Sequence, residues 1–129
     1  MTERKATTHR RRRDAGQVAL EYLGFIPLLL IVALLAIQLG IAAYTANQAG
    51  TAARVAARTA SQDELDRELD PEPAGRAAIS GWLSDDLSFV HSSGARDTTY
   101  TAEIEIPSVV PGMEGRWGAA KRSSTMPLD

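Results

Sequence analysis

Glu21 is the first residue to consider for chemistry, because it stands alone at the mouth of an uncharged run: from Tyr22 through Ala53 there is no Lys, Arg, Asp or Glu. A carboxylate drawn toward the centre of a bilayer costs about 2 to 3 kcal/mol, and such residues carry a partner or a function. If the chain is cut between Gly16 and Gln17, the new α-amino group of Gln17 lies about one helical turn from Glu21 on the same face. An ion pair, within one chain or between neighbours, then neutralises both groups. In an uncut chain, Glu21 sits at the headgroup level of a simple anchor.

The remaining candidates are weaker. His91 next to Ser92 and Ser93 is a poor nucleophile–base pair, since adjacent residues seldom orient a base correctly. Asp63, Glu64, Asp66, Glu68 and Asp70 are acidic but lack the Gly and terminal bidentate Glu of a Ca²⁺ loop, so they read as a solvated helix end. There is no Cys, no Gly-rich phosphate loop and no internal repeat. No enzyme, cofactor, metal site or small-molecule substrate is expected. Arg10 to Arg13 lack the aromatic residues and folded scaffold of a nucleic-acid surface, and they read as topology and headgroup charge.

The element that positions Glu21 is an apolar helix. Leu23 to Ile37 contains no polar side chain, and about twenty residues at ~1.5 Å each cross the ~30 Å hydrocarbon core. Tyr22 and Tyr44 are spaced as an aromatic belt at the two interfaces would be, which predicts a span ending near Tyr44. Six of the fourteen basic residues precede Gly16, against two of the sixteen acids, so the leader carries +4 and the remainder −6. The positive-inside rule places the leader (1–16) in the cytoplasm and the bulk of the chain outside, as a single-pass protein of the cell membrane. An ordinary signal peptide over 1–42, with Gly40 and Ala42 near its cut, is disfavoured. The apolar run exceeds the usual ~7 to 15 residues, and helical patterning continues through that point.

Pro27 removes one backbone donor and obstructs the bond to the Leu23 carbonyl, which predicts a loosened turn. Beyond the span, Ala42, Ala46, Ala49, Gly50, Ala53, Ala56, Ala57 and Ala60 recur at three- and four-residue spacing. They form a narrow small-residue face that another helix backbone can approach closely. Gly50, Ala53 and Ala57 are its candidate helix-packing positions. The helix and its extension are expected over 17–69, with the acidic residues as its tail, until Pro71 and Pro73 redirect the chain.

The segment 70–129 reads as a small extracytoplasmic α+β domain. Ala74, Ala78, Ile79, Trp82 and Leu83 share one face of a short helix, with Trp82 expected in the core. Ser92 to Asp97 reads as a turn. Thr98 to Ile106 alternates, with Tyr100, Ala102, Ile104 and Ile106 on one face and Thr99, Thr101, Glu103 and Glu105 on the other, as a half-buried strand does. Phe89 to His91 is placed to pair with it as a hairpin. A further strand near Trp117 is conceivable, followed by a frayed polar tail. About sixty residues without a disulfide build only a small core, so the domain is expected to lean on the Ala-rich helix or on a partner.

Residues 12 to 61, from Arg12-Arg13-Asp14-Ala15-Gly16-Gln17-Val18-Ala19-Leu20-Glu21-Tyr22 through the apolar span to the Ala-Arg-rich helix, resemble the TadE-like family. These are pseudopilins of the tight-adherence pilus system. The resemblance implies cleavage after Gly16 by a prepilin peptidase, with Glu21-Tyr22 matching the family's acidic-aromatic doublet behind the cut. It matches Pro27 with Leu28 to Leu30 to the family's Pro and Leu run, and Ala52 to Arg58 to its Ala-Ala-Arg tail. The outcome is a pilin-like α+β layout: a long N-terminal transmembrane helix leading into a small domain with a short helix and a two- to three-stranded antiparallel sheet. The expected role is a minor pilin-like subunit whose partners are the bilayer, the prepilin peptidase, other pilin-like subunits and the assembly machinery. The competing expectation is an uncleaved single-pass anchor whose outer domain binds an envelope partner. Cleavage after Gly16 separates the two.

Overall fold

The computed structural model describes residues 8–128, with side-chain surroundings from Gly16 onward. Of the leader expected over 1–16, residues 1–7 lie outside the described residues. Six elements follow in order: α1 (Thr8–Ala60), α2 (Pro71–Ala77), α3 (Gly81–Ser84), β1 (Leu87–Ser93), β2 (Asp97–Glu105) and β3 (Ala119–Pro127). The layout is α+β, a long apolar helix followed by short helices and a three-stranded antiparallel sheet. Compact units divide between Ala36 and Ile37.

The described residues of the N-terminal unit are helix alone. Pro27 lies inside α1 without ending it, which leaves the Leu23 carbonyl without its usual intrahelical donor. From Gly16 to Ile37 every residue except Leu34 is exposed, and α1 holds an 18-residue stretch whose mean hydropathy reaches 2.6. Such a helix, apolar all round, suits lipid rather than water. It suggests a single-pass membrane protein.

The C-terminal unit has its core on the inner face of the sheet. Ala49, Ala52 and Ala53 of α1 meet Leu83, Leu87, Ala102, Ile104 and Ala120, while Ala56 and Ala57 meet Tyr100. Alanine at these positions lets sheet and helix backbone come close, so a domain of this size excludes water with few large side chains. The strand order is β1-β2-β3. Central β2 buries alternate residues, Thr98, Tyr100, Ala102 and Ile104, as its sequence alternation predicts. On the outer face, β2 and β3 exchange polar pairs: Glu103 with Lys121 at 3.2 Å, and Thr101–Ser123 and Thr99–Thr125, each at 2.7 Å.

Several expectations are corrected. The acidic residues do not extend α1, which stops at Ala60; residues 61–70 form turns, where carboxylates reach water freely. The single helix expected after Pro71 is two, because the chain turns at Ala78 to Ser80 before Gly81. Trp82 is not in the core but 56% exposed. The polar C-terminus is not frayed: Ala119–Pro127 is strand β3, held to β2 in register from Glu105↔Ala119 to Asp97↔Pro127. An edge strand is fixed by its ladder and needs only a few apolar residues on one face, here Ala120 and Met126.

Candidate functional site

The residues singled out for processing and assembly fall on the exposed helix. Gly16 and Gln17 lie within α1, and a Cβ on Gly16 would meet nothing within 4 Å. Glu21 and Tyr22 are exposed and, with Val18 and Phe25, line a shallow groove along one face of α1. That spacing of three, four and seven residues is the helical repeat. Glu21 is thus a single carboxylate framed by apolar and aromatic side chains, four residues from Gln17.

The Ala stripe is covered by the chain's own C-terminal elements. Ala53 and Ala57 are fully buried beneath the chain's own sheet. They pack against β2 and its neighbours, while α2 approaches the same stripe at Ala56, where a Cβ on Gly75 would stand 3.2 Å from the Ala56 Cβ. Gly50 lies at the border, where the Arg54 Nη2 and the Arg122 Cγ would stand 3.7 and 3.8 Å from a Cβ. Arg54 also donates to the Gly50 carbonyl at 3.0 Å.

Three polar side chains of α1 tie the domain to the helix, and sequence reasoning missed their role. Gln38, fully buried, donates from Nε2 to the Pro107 carbonyl and accepts at Oε1 from the Val109 N–H, both at 2.9 Å. Each end of its amide is therefore satisfied. Tyr44 shares a 2.6 Å hydrogen bond with the Ser80 hydroxyl and stacks on Trp82, with centroids 5.9 Å apart. Gln48 accepts from the Ser80 N–H at 3.1 Å. Tyr44 is thus engaged by protein while still 41% exposed, and one face of α1 packs against the domain from Gln38 onward. The signal available was Gln38 itself, the first polar residue after Leu23 to Ile37.

His91 is held structurally. Its ring stacks on Tyr100 at 4.5 Å and its Nε2 is 2.9 Å from the Thr98 hydroxyl. Among the described residues, no group of three His, Asp or Glu is placed to hold a metal ion.

Residues 16–58 match the family model described as TadE-like protein. No curated protein and no solved structure matches the chain. The match covers α1 from Gly16 to Arg58 and stops before the acidic turns, so it includes Glu21, Gln38 and the buried Ala stripe. It suggests a pilin-like subunit associated with a tight-adherence pilus. The family is a structural, pilus-related one, and the match implies association with pilus assembly components in general.

Proposed function

We propose that this TadE-like chain is a minor pilin-like structural subunit, cleaved by a prepilin peptidase between Gly16 and Gln17, that takes part in assembling a tight-adherence pilus or a related envelope secretion apparatus. The observation that carries the reading is Glu21: one carboxylate on an outward apolar helix face, four residues from Gln17, inside the segment that matches the family. Lipid offers such a group no partner. The α-amino group released at Gln17 does, in the same chain or in a neighbour, and charge neutralisation then becomes a condition for close helix association.

The positively charged leader remains cytoplasmic and the domain from Ile37 lies outside the cell membrane. Val18 to Ile37, twenty residues with Glu21 one turn from its start, supplies about 30 Å of helix that is apolar from Leu23 onward, enough for the hydrocarbon core. Because Gly16 and Gln17 are helical, the peptidase must unwind them. A Gly there weakens the helix by about 1 kcal/mol relative to Ala, which lowers the cost of exposing the bond. The chain serves as a scaffold and not as a catalyst.

Purification through a C-terminal tag, from native membranes in mild detergent, tests the assignment. Other chains with a processed prepilin-type N-terminus should accompany the wild type. Glu21→Ala should lose them while its amount in the membrane is unchanged. Undiminished recovery of those chains with Glu21→Ala would contradict the assembly role.

A further inference from the structure

We propose that the Pro107–Gly118 loop contacts lipid in the headgroup layer, with Trp117 as its interfacial anchor and Gln38 as the clasp that holds it at that level. The inference rests on the membrane-spanning reading of Val18 to Ile37. Gln38 is the next residue of α1, one ~1.5 Å rise beyond that run. Both polar ends of its amide are taken by loop backbone, at Pro107 and Val109. Ser108, between those two contacts, accepts the Trp117 indole N–H at 3.0 Å. The indole is thereby fixed close to the level at which the apolar helix ends.

The loop's composition and hydrogen bonding suit that position. It contains Val109, Val110, Pro111, Met113 and Trp117, and only Glu114 and Arg116 are charged. Non-helical backbone next to hydrocarbon is tolerated only where its polar groups find partners in the protein. Here Val110 N–H reaches the Ser108 hydroxyl at 3.2 Å, Met113 N–H the Val110 carbonyl at 3.2 Å, and Arg116 N–H the Met113 carbonyl at 3.2 Å. Gly112 N–H points to Glu114 Oε1 at 3.3 Å, and the two prolines have no N–H to satisfy. Tryptophan is enriched at membrane interfaces because its ring is apolar and its N–H polar. The loop is therefore an apolar cap in which the N–H groups of Val109, Val110, Gly112, Met113 and Arg116 find protein partners, tethered to the residue that follows the span.

Two tryptophans make the test direct. Full-length Trp82→Phe protein, reconstituted in phosphatidylcholine–phosphatidylglycerol vesicles, leaves Trp117 as the only indole. Its emission should be quenched by lipids brominated near the headgroup end of the acyl chain more than by lipids brominated near the methyl end. The reciprocal Trp117→Phe protein reports Trp82, whose partner Tyr44 is six residues or about 9 Å further along α1, and should be quenched little. Adding Gln38→Ala to Trp82→Phe should reduce the quenching of Trp117. Unquenched Trp117 in a chain that resists alkaline carbonate extraction would overturn the loop assignment alone, and equal quenching of Trp82 would overturn its restriction to this loop. Retained quenching with Gln38→Ala would overturn the clasp. Release of the chain by carbonate would overturn the loop assignment together with the membrane-spanning reading.

Discussion

Gly75 of α2 lies so close to α1 that a Cβ there would stand 2.8 Å from the Ala52 carbonyl oxygen and 3.2 Å from the Ala56 Cβ. The first of these is backbone and cannot swing aside. In an exposed helix Gly→Ala gains about 1 kcal/mol, but forcing a methyl into packed atoms costs about 1 to 3 kcal/mol. Gly75→Ala should therefore destabilise the domain by about 1 kcal/mol and Gly75→Val by more. Denaturant unfolding in detergent checks the order; a stabilised Gly75→Ala would show that α2 does not approach α1 this closely.

Trp82 is stacked on Tyr44 and more than half exposed. Removing it should cost about 1 kcal/mol, the scale of an aromatic pair, rather than the 3 to 5 kcal/mol of a core Trp. Ile104→Ala, at a fully buried position, should cost about 2 to 5 kcal/mol. Thermal unfolding of the two variants side by side separates the surface stack from the core.

Tyr100 contributes to the domain's pH dependence at the alkaline end. Burial, then the Glu72 and Asp70 carboxylates, raise its phenol above the usual 10.0, with Arg67 opposing. The unfolded chain thus ionises before the folded one, so the stabilisation is full below pH 10.0 and is lost as the pH climbs through the raised folded value. Tyr100→Phe should flatten the alkaline decline without altering its neutral-pH slope. An identical decline in the variant, measured by denaturant unfolding from neutral pH upward, would contradict this.

Gly50 and Ala53 should respond differently to enlargement. A side chain at Gly50 meets the ends or stems of Arg54 and Arg122, which can move, whereas Ala53 is sealed beneath the sheet. Ala53→Leu should lower stability by about 1 to 3 kcal/mol, and Gly50→Leu should leave the fold intact. Loss of partner chains on purification of folded Gly50→Leu protein would locate an assembly contact at the border of the stripe; unchanged recovery would confine the stripe to intramolecular packing.

The sequence made the apolar helix, the β2 alternation and the β1–β2 hairpin legible because each buries or exposes residues with a simple period. It did not reveal β3, where the ladder to β2 rather than apolar patterning decides the structure and Lys121, Ser123 and Thr125 face outward. Trp82 misled because size and helical phase suggested a core residue, while its actual partner, Tyr44, lies far away in sequence. Gln38 was visible as the end of the apolar run, but its clasp depends on a loop some seventy residues later. Of the candidate site, Glu21 stands out by residue type and by its one-turn spacing from Gln17, while the cut after Gly16 and the Glu21-Tyr22 doublet are what the TadE-like resemblance implies.

The measurement that bears most directly on the central claim is the N-terminal mass of the protein extracted from its native membrane, wild type beside Gly16→Leu. A Cβ at Gly16 would meet nothing within 4 Å. A mature start at Gln17 in the wild type, abolished in Gly16→Leu, is the predicted result. An N-terminus at Met1 or Thr2 in the wild type, with the chain still in the membrane, would contradict prepilin-type processing and leave a signal-anchored envelope protein.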